Sequence, residues 1–315
     1  MEGTAPLPYQ NNTQITYPAY DEAETEWNAG GEKVAGMIGF IAPLPQWEKE
    51  KTFCLALPLP DNQPKTNLVI DQHTVMLRDV RGREEQYDLD THGFTFAAMP
   101  PLKVDLDDEQ ALRTDYVQQM EDFLREKLQA DIVHVFDYTL RRVKPQGASY
   151  NWNEARPPGT SAHVDQSPHA AFTRMRLHLE GNIETLKTGR VQLINIWRPI
   201  VGPVKDMVLG ICDARTVENE DLITHDLVYH HYVGENLQLK YNSKQRWYFL
   251  DNMEPGEGII FKNFDSIMDG RARLAPHAAF KRLGEVPANS PLRQSIEIRA
   301  IVYHATNDDP ESQSC

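Results

Sequence analysis

"GRVQLINIWRPIVGPVKDMVLGICDA" (residues 189–214) opens the part of the chain where β-structure takes over. Its first half is a strand that runs up to Pro199, where a ladder donor is lost. From there onward the apolar runs are short and evenly spaced, with turn residues between them: "DMVLGICDA", "DLVYHHYV", "NLQLKYN", "RWYFLDNM", "GIIFKNFDS" and "QSIEIRAIVYHA". That rhythm predicts a sandwich or barrel. Upstream, "DLDDEQALRTDYVQQMEDFLREKLQA" predicts a helix with an acidic first turn. Leu112, Tyr116, Met120, Leu124 and Leu128 recur every four residues, with Phe123 beside them, as a core-facing stripe. "ADIVHVFDYTLRRV" then reads as a strand. A helical layer in front of a β-rich second half gives an α+β fold whose leading architecture is a double-stranded β-helix (jelly-roll) core with flanking helices.

The rest of the chain fits around that core. Residues 1–35 are polar and rich in Pro, Asn and Tyr, and read as an extended arm able to reach a partner subunit in a homodimer. Between Val34 and Val80, proline-interrupted pieces such as "MIGFIAP", "FCLALPLP" and "NLVID" suit edge strands and extended segments. "TVMLRDVRGREEQYDLDTHGFTFAAM" predicts a hairpin about an Arg-Gly turn. A polar loop, "KPQGASYNWNEARPPGTSA", precedes a helix over "SPHAAFTRMRLHLEGNIETLKTG", started by Ser167-Pro168. Residues 36–305 thus form one domain, and 306–315 a polar tail.

Composition narrows the classes. With 32 basic against 46 acidic residues, the formal charge of −14 argues against a nucleic-acid or anionic-membrane surface. Cys54, Cys212 and Cys315 are too few and too scattered for a disulfide framework or a thiolate zinc site. No run approaches the ~18 apolar residues of a membrane span, and "MEGTAPLPYQNNTQ" has no secretory pattern. The expectation is a soluble, cytoplasmic protein.

Chemistry concentrates in "SAHVDQSPHAAF" (residues 161–172). On a strand, His163 and Asp165 point to one face. Two histidines and a carboxylate on one face of an octahedral Fe(II) leave three positions for a bidentate 2-oxo acid and O2. Alone, His-x-Asp reads by default as a polar loop with a structural histidine, so a distant histidine is required. His225, His230, His231, His277 and His304 are the candidates. His230 and His231 precede Arg246, which lies between polar residues and the packing residues Trp247 and Tyr248. His277 in "RLAPHAAF" precedes Arg293-x-Ser295, which on a strand sends a guanidinium and a hydroxyl to one side. That pair suits bidentate recognition of a carboxylate, which favours His277.

The blocks "HVDQS", "GRVQLINIWRPIVGPVKDMVLGICDA", "RWYFLDNMEPGEGIIFKNFDS", "PHAAF" and "RQSIEIRAIV", in this order, resemble a fungal oxygenase family. It comprises hydroxylase/desaturases related to the aspergillic acid pathway enzyme, gibberellin desaturase and cephem methoxylase-related proteins. The likeness spans roughly residues 30–305 and is densest from 160 to 300. One departure is "NSKQRWYF", where a histidine is expected just before the Arg-Trp pair.

The resemblance implies an Fe(II)- and 2-oxoglutarate-dependent dioxygenase of secondary metabolism, using O2 to hydroxylate or desaturate a small natural product. It implies His163, Asp165 and His277 as iron ligands and Arg293 with Ser295 at the co-substrate carboxylate. Arg299, six positions on, shares that face and can exchange roles with Arg293. Asn195, Trp197 and Arg198 become pocket walls, although core packing is the better reading of Trp197; Asp213 and Asp265 suit turns or hydrogen bonds. Two rivals stand beside this: a non-catalytic β-sandwich binding module, and a metal hydrolase using His163 and Asp165 with His230 or His231.

Overall fold

The computed structural model describes residues 20–29, 31–57, 60, 63–145, 156–178 and 189–305. The far end of the expected arm, most of the polar loop before the motif, the second half of the helix after it, Cys315 and the C-terminal tail lie outside the described residues. The strands are β1 (Lys33–Ile41), β2 (Thr52–Leu55), β3 (Ile70–Asp79), β4 (Phe94–Ala98), β5 (Ile132–Arg142), β6 (His163–Val164) and β7 (Gly189–Val201). They continue as β8 (Val208–Cys212), β9 (Leu222–Val228), β10 (Val233–Leu239), β11 (Trp247–Phe249), β12 (Glu257–Asp265), β13 (His277–Arg282) and β14 (Gln294–Ala305). The helices are α1 (Tyr20–Asn28), α2 (Glu109–Ala111), α3 (Val117–Leu128) and α4 (Pro168–His178).

Two sheets result. One has nine strands in the order β1-β3-β11-β8-β13-β6-β10-β9-β2, and the other five in the order β4-β12-β7-β14-β5. β1 also pairs with β13, at Gly36↔Arg282 and Met37↔Lys281, so part of the larger sheet closes on itself like a barrel. The molecule is thus rich in sheet, with few helices.

The expected helix divides in three: α2, a wider π turn over Leu112–Tyr116, and α3. The Asp108 carboxylate caps its start, accepting from the Gln110 and Ala111 amides. Leu112, Tyr116, Met120 and Leu124 are buried against Ile194, Ile196, Ile260, Ile296 and Ile298 of the five-stranded sheet. The opposite face of that sheet turns towards the larger one, where Trp197, Ile259 and Phe261 pack with Leu209, Ile211 and Tyr248.

Four expectations need correction. The stretch taken as a hairpin instead crosses between sheets: β3 pairs with β1 and β11, whereas β4 pairs with β12. The Arg-Gly turn does form, but Arg81 then grips Glu257 and the Asp251 carbonyl, which carries the chain across. β1 is not purely an edge strand, because Gly36 and Met37 also pair with β13, whereas β2 does end the larger sheet as expected. The strand that was expected to stop at Pro199 runs on to Val201. Finally, Tyr20–Asn28 of the expected arm is helical, with Ala23 and Trp27 buried.

Candidate active site

Short strand β6 brings the site together. It lies between β13 and β10, and His163 is the direct cross-strand partner of His277. Facing residues of an antiparallel pair carry their Cβ atoms about 5 Å apart. The two rings accordingly meet at 4.6 Å between centroids. His163 Nδ1 donates to the Ser161 carbonyl at 2.7 Å, and His277 Nδ1 to the Ala275 carbonyl at 3.3 Å. Both rings are thereby held in the tautomer that leaves Nε2 bare. These Nε2 atoms lie 3.2 Å and 4.0 Å from Asp165 Oδ1. One ligand atom from each of the three side chains falls within 4.8 Å of the others.

The carboxylate of Asp165 is fixed through its other oxygen. Oδ2 accepts from Asn195 Nδ2 at 2.6 Å and from Arg299 Nε at 2.8 Å, while the Asp165 amide donates to Asn263 at 2.9 Å. Burial alone would raise the Asp165 carboxyl, but the Arg299 guanidinium beside it outweighs this and holds it well below the usual carboxylate range. Burial, reinforced by His163, pushes the His277 imidazole down to about 4. A bare imidazole pair and a carboxylate tethered through one oxygen, with the other left open, make a donor set suited to a divalent metal.

Two arginines of the sequence reading have different surroundings. Arg299 also donates to Asp137 Oδ2 at 3.1 Å, to Thr139 Oγ1 at 2.8 Å and to Glu297. Its guanidinium is engaged behind Asp165, which is a physical reason against the exchange with Arg293. Arg293 is 4% exposed, stacks on Trp197 at 4.9 Å, and donates to Ser295 Oγ at 3.3 Å and to the Met207 carbonyl. No carboxylate lies within 4.0 Å of it among the described residues. Burial first, and then Arg141, lowers it to about 9.

The other candidates fall elsewhere. Asn195 touches Asp165 rather than open space, and Arg198 donates to the Pro100 and Pro255 carbonyls. His225 is tied to Thr52, and His304 to Gln192. His230 and His231 lie between β9 and β10, outside the three-residue cluster. Arg246 pairs with Glu24. Asp213 is bound to Arg215, and Asp265 to Lys262 and Arg190. Asp137, Thr139, Arg141, Asn263 and Glu297 went unread, because a polar residue inside an apolar strand carries no spacing signal of its own. A second cluster, Glu26, His92 and Asp213, contains the Arg215 guanidinium and acts as an ion-pair clasp for α1.

Comparison with known proteins shows what the chain as a whole is similar to. Residues 38–303 match the family model described as an oxidoreductase/YMDC permease-like domain. None of the described helices is long and apolar enough to cross a membrane. The Fe(II)/2-oxoglutarate-dependent dioxygenase nvfI of Aspergillus novofumigatus is 30% identical over 264 residues, covering 81% of this chain and 91% of the relative. The hydroxylase/desaturase CTB9 of Cercospora beticola is 30% identical, over 74% of this chain and 77% of its own. The hydroxylase/desaturase efuI of Hormonema carpetanum is 27% identical, over 76% and 86%. Among solved structures, the iron and alpha-ketoglutarate-dependent endoperoxidase NvfI superposes with a TM-score of 0.77 at 27% identity, covering 87% of this chain and 98% of that one. The chain belongs to this family of fungal Fe(II)/2-oxoglutarate-dependent oxygenases.

Proposed function

We propose that the protein is an Fe(II)- and 2-oxoglutarate-dependent dioxygenase that hydroxylates or desaturates an unactivated C–H position of a small fungal secondary metabolite. Its two sheets then correspond to a double-stranded β-helix core. The observation that carries this is the convergence of His163, Asp165 and His277, with Nε2, Nε2 and Oδ1 turned together. The rival binding module leaves that convergence unexplained, and the rival hydrolase needs His230 or His231, which lie outside it.

His163, Asp165 and His277 would hold Fe(II), which supplies the coupling of O2 reduction to decarboxylation of the 2-oxo acid and oxidation of substrate. The chain's own residues do the positioning. The Ser161 and Ala275 carbonyls orient both rings through Nδ1 so that each Nε2 faces the cluster, and Asn195 with Arg299 holds Asp165 through one oxygen and leaves the other available. Arg293 and Ser295 offer donors for the far carboxylate of 2-oxoglutarate, with Trp197 supporting the guanidinium plane. Phe261 packs against the His277 ring at 4.5 Å, so that, with Trp197 under Arg293, aromatic rings back both parts of the site. We place the enzyme in the cytoplasm, where the free thiols of Cys54 and Cys212 remain reduced.

Anaerobic titration with Fe(II) and then 2-oxoglutarate tests this through the weak visible charge-transfer band of the chelate. We expect the band in the wild type and in His231→Ala, and its loss in His277→Ala. Its absence from the wild type would refute the assignment.

A further inference from the structure

The inner face of the five-stranded sheet carries one more cation than the proposed chemistry uses. β5 runs antiparallel to β14, with Arg299↔Asp137, Glu297↔Thr139 and Ser295↔Arg141 as facing pairs. Asp137 and Thr139 both reach Arg299, so their side chains lie on the inner face. Arg141 is two residues beyond Thr139 and shares that face. Its Nη1 donates to the Pro157 carbonyl at 2.8 Å, which carries the guanidinium from β5 across to the segment leading into β6 and His163. Among the described residues no carboxylate approaches Arg141 within 4.0 Å. The two acids closest along the ladder, Glu297 and Asp137, are bound to Arg299.

We propose that Arg141 is a second anion-binding arginine of the site, closing with Arg293 and Ser295 on the far carboxylate of the dicarboxylic co-substrate. The inference rests on the 2-oxoglutarate assignment above. Three donors line up for the purpose. Ser295 Oγ accepts from Arg293 Nε, which leaves its own hydroxyl proton to donate outward. Ser295 and Arg141 are facing residues across the ladder, and Ser295 is also bonded to Arg293, so one serine adjoins both arginines. With no carboxylate paired to either, the two arginines repel each other, and burial lowers the proton affinity of both. A carboxylate held between them relieves that repulsion and satisfies the donors at once.

The two ends of the co-substrate can be tested separately. 2-Oxobutyrate has the 2-oxo acid end of 2-oxoglutarate but lacks its far carboxylate. Binding of each acid would be measured by calorimetry on the full-length chain loaded anaerobically with Fe(II), for wild type, Arg141→Met, Arg141→Lys and Arg293→Met. We expect Arg141→Met to weaken 2-oxoglutarate on the order of tenfold or more, the usual worth of a charged hydrogen bond, and to leave 2-oxobutyrate unchanged. Arg141→Lys keeps the charge without the fork, and a smaller loss confined to 2-oxoglutarate supports the proposal even if the Met variant fails to fold. Unchanged 2-oxoglutarate binding in both Arg141 variants, with loss in Arg293→Met, would overturn the two-arginine clamp and leave the dioxygenase assignment standing. Equal weakening of both acids would also overturn it, since Arg141 would then act through the fold. A wild type that binds neither acid would remove the assignment itself.

Discussion

Asp165 shows how much of a metal-ready site is made by residues that touch no metal. A carboxylate has two oxygens, and Asn195 and Arg299 take one of them. Asn195→Ala removes the shorter of these bonds and frees the carboxylate to rotate. Outer-sphere partners of this kind are typically worth about 10–100-fold in metal affinity. Fe(II) affinity of the variant, measured anaerobically by calorimetry, should fall within that range while the circular dichroism spectrum stays unchanged. A second residue reports on pH. His225 is 2% exposed and donates Nδ1–H to Thr52 Oγ1, which itself donates to the Thr224 carbonyl. Burial pushes its imidazole down to about 4. The folded chain therefore resists a proton that the unfolded chain takes up near pH 6.5. His225 exacts no such penalty above pH 6.5, and stability is lost as pH falls from there towards about 4, by up to about 3 kcal/mol. Thermal melts of wild type and His225→Gln across this range should diverge steadily below pH 6.5, with the variant losing less.

At the scale of elements, the distance between His163 and His277 depends on a ladder, and the ladder on a glycine. β13 is held on one side by β6 and at its far end by β1, through Gly36↔Arg282. A Cβ at Gly36 would come within 2.5 Å of the Phe280 ring and 2.8 Å of Leu77, both fully buried. Gly36→Val therefore forces β1 away from β13 and should destabilise the protein by about 1–3 kcal/mol, the usual range for overpacking. Because β13 starts at His277, we expect weaker Fe(II) binding alongside the lower denaturation midpoint; retention of both would show that the closure is dispensable. The same strand shows where the sequence was hard to read. "PHAAFKR" is short, alternates poorly and follows a proline, so β13 was not recognised as a strand although His277 was recognised as a ligand candidate. The helix before β5 was legible because its stripe has a single period, and only the wider turn at Leu112–Tyr116 was hidden. The expected hairpin failed because both arms alternate well, and alternation does not say which sheet a strand joins. Arg141 was invisible for a related reason. "LRRV" names no chemistry until β14 lies beside it and puts Ser295 opposite.

For the molecule as a whole, the question is what fastens the two sheets around a polar interior. Part of the answer is a buried ionic knot at the C-terminal end of β12. Lys262 and Asp265 are both 0% exposed, and Lys262 Nζ reaches Asp265 Oδ2 at 2.7 Å, Asp90 Oδ1 at 2.7 Å and the Ala272 carbonyl at 2.8 Å. Arg190 of β7 binds the same two acids, and Arg271 binds Asp90 at 3.0 Å. The knot thus joins β7 and β12 of the smaller sheet to the loop carrying Asp90 and to the segment that leads into β13. Lys262→Met leaves Asp265 buried with Arg190 as its remaining cation, and removing one partner of a buried pair generally costs about 3–5 kcal/mol. Lys262→Met combined with Asp265→Leu removes both charges, and an apolar pair in such a place is often neutral or better. If the lysine is there to neutralise Asp265, the double variant should therefore be more stable than Lys262→Met alone, which urea denaturation of the four members of the cycle would measure. If the knot instead fixes how the segment from 266 to 276 enters β13, the double variant should recover stability but not Fe(II) affinity, because Asp265 also caps that segment through the Ile267 amide. We expect the second pattern: Asp265 Oδ1 holds the backbone at 3.0 Å while Oδ2 holds the cations, so the same carboxylate serves both the fold and the approach to His277.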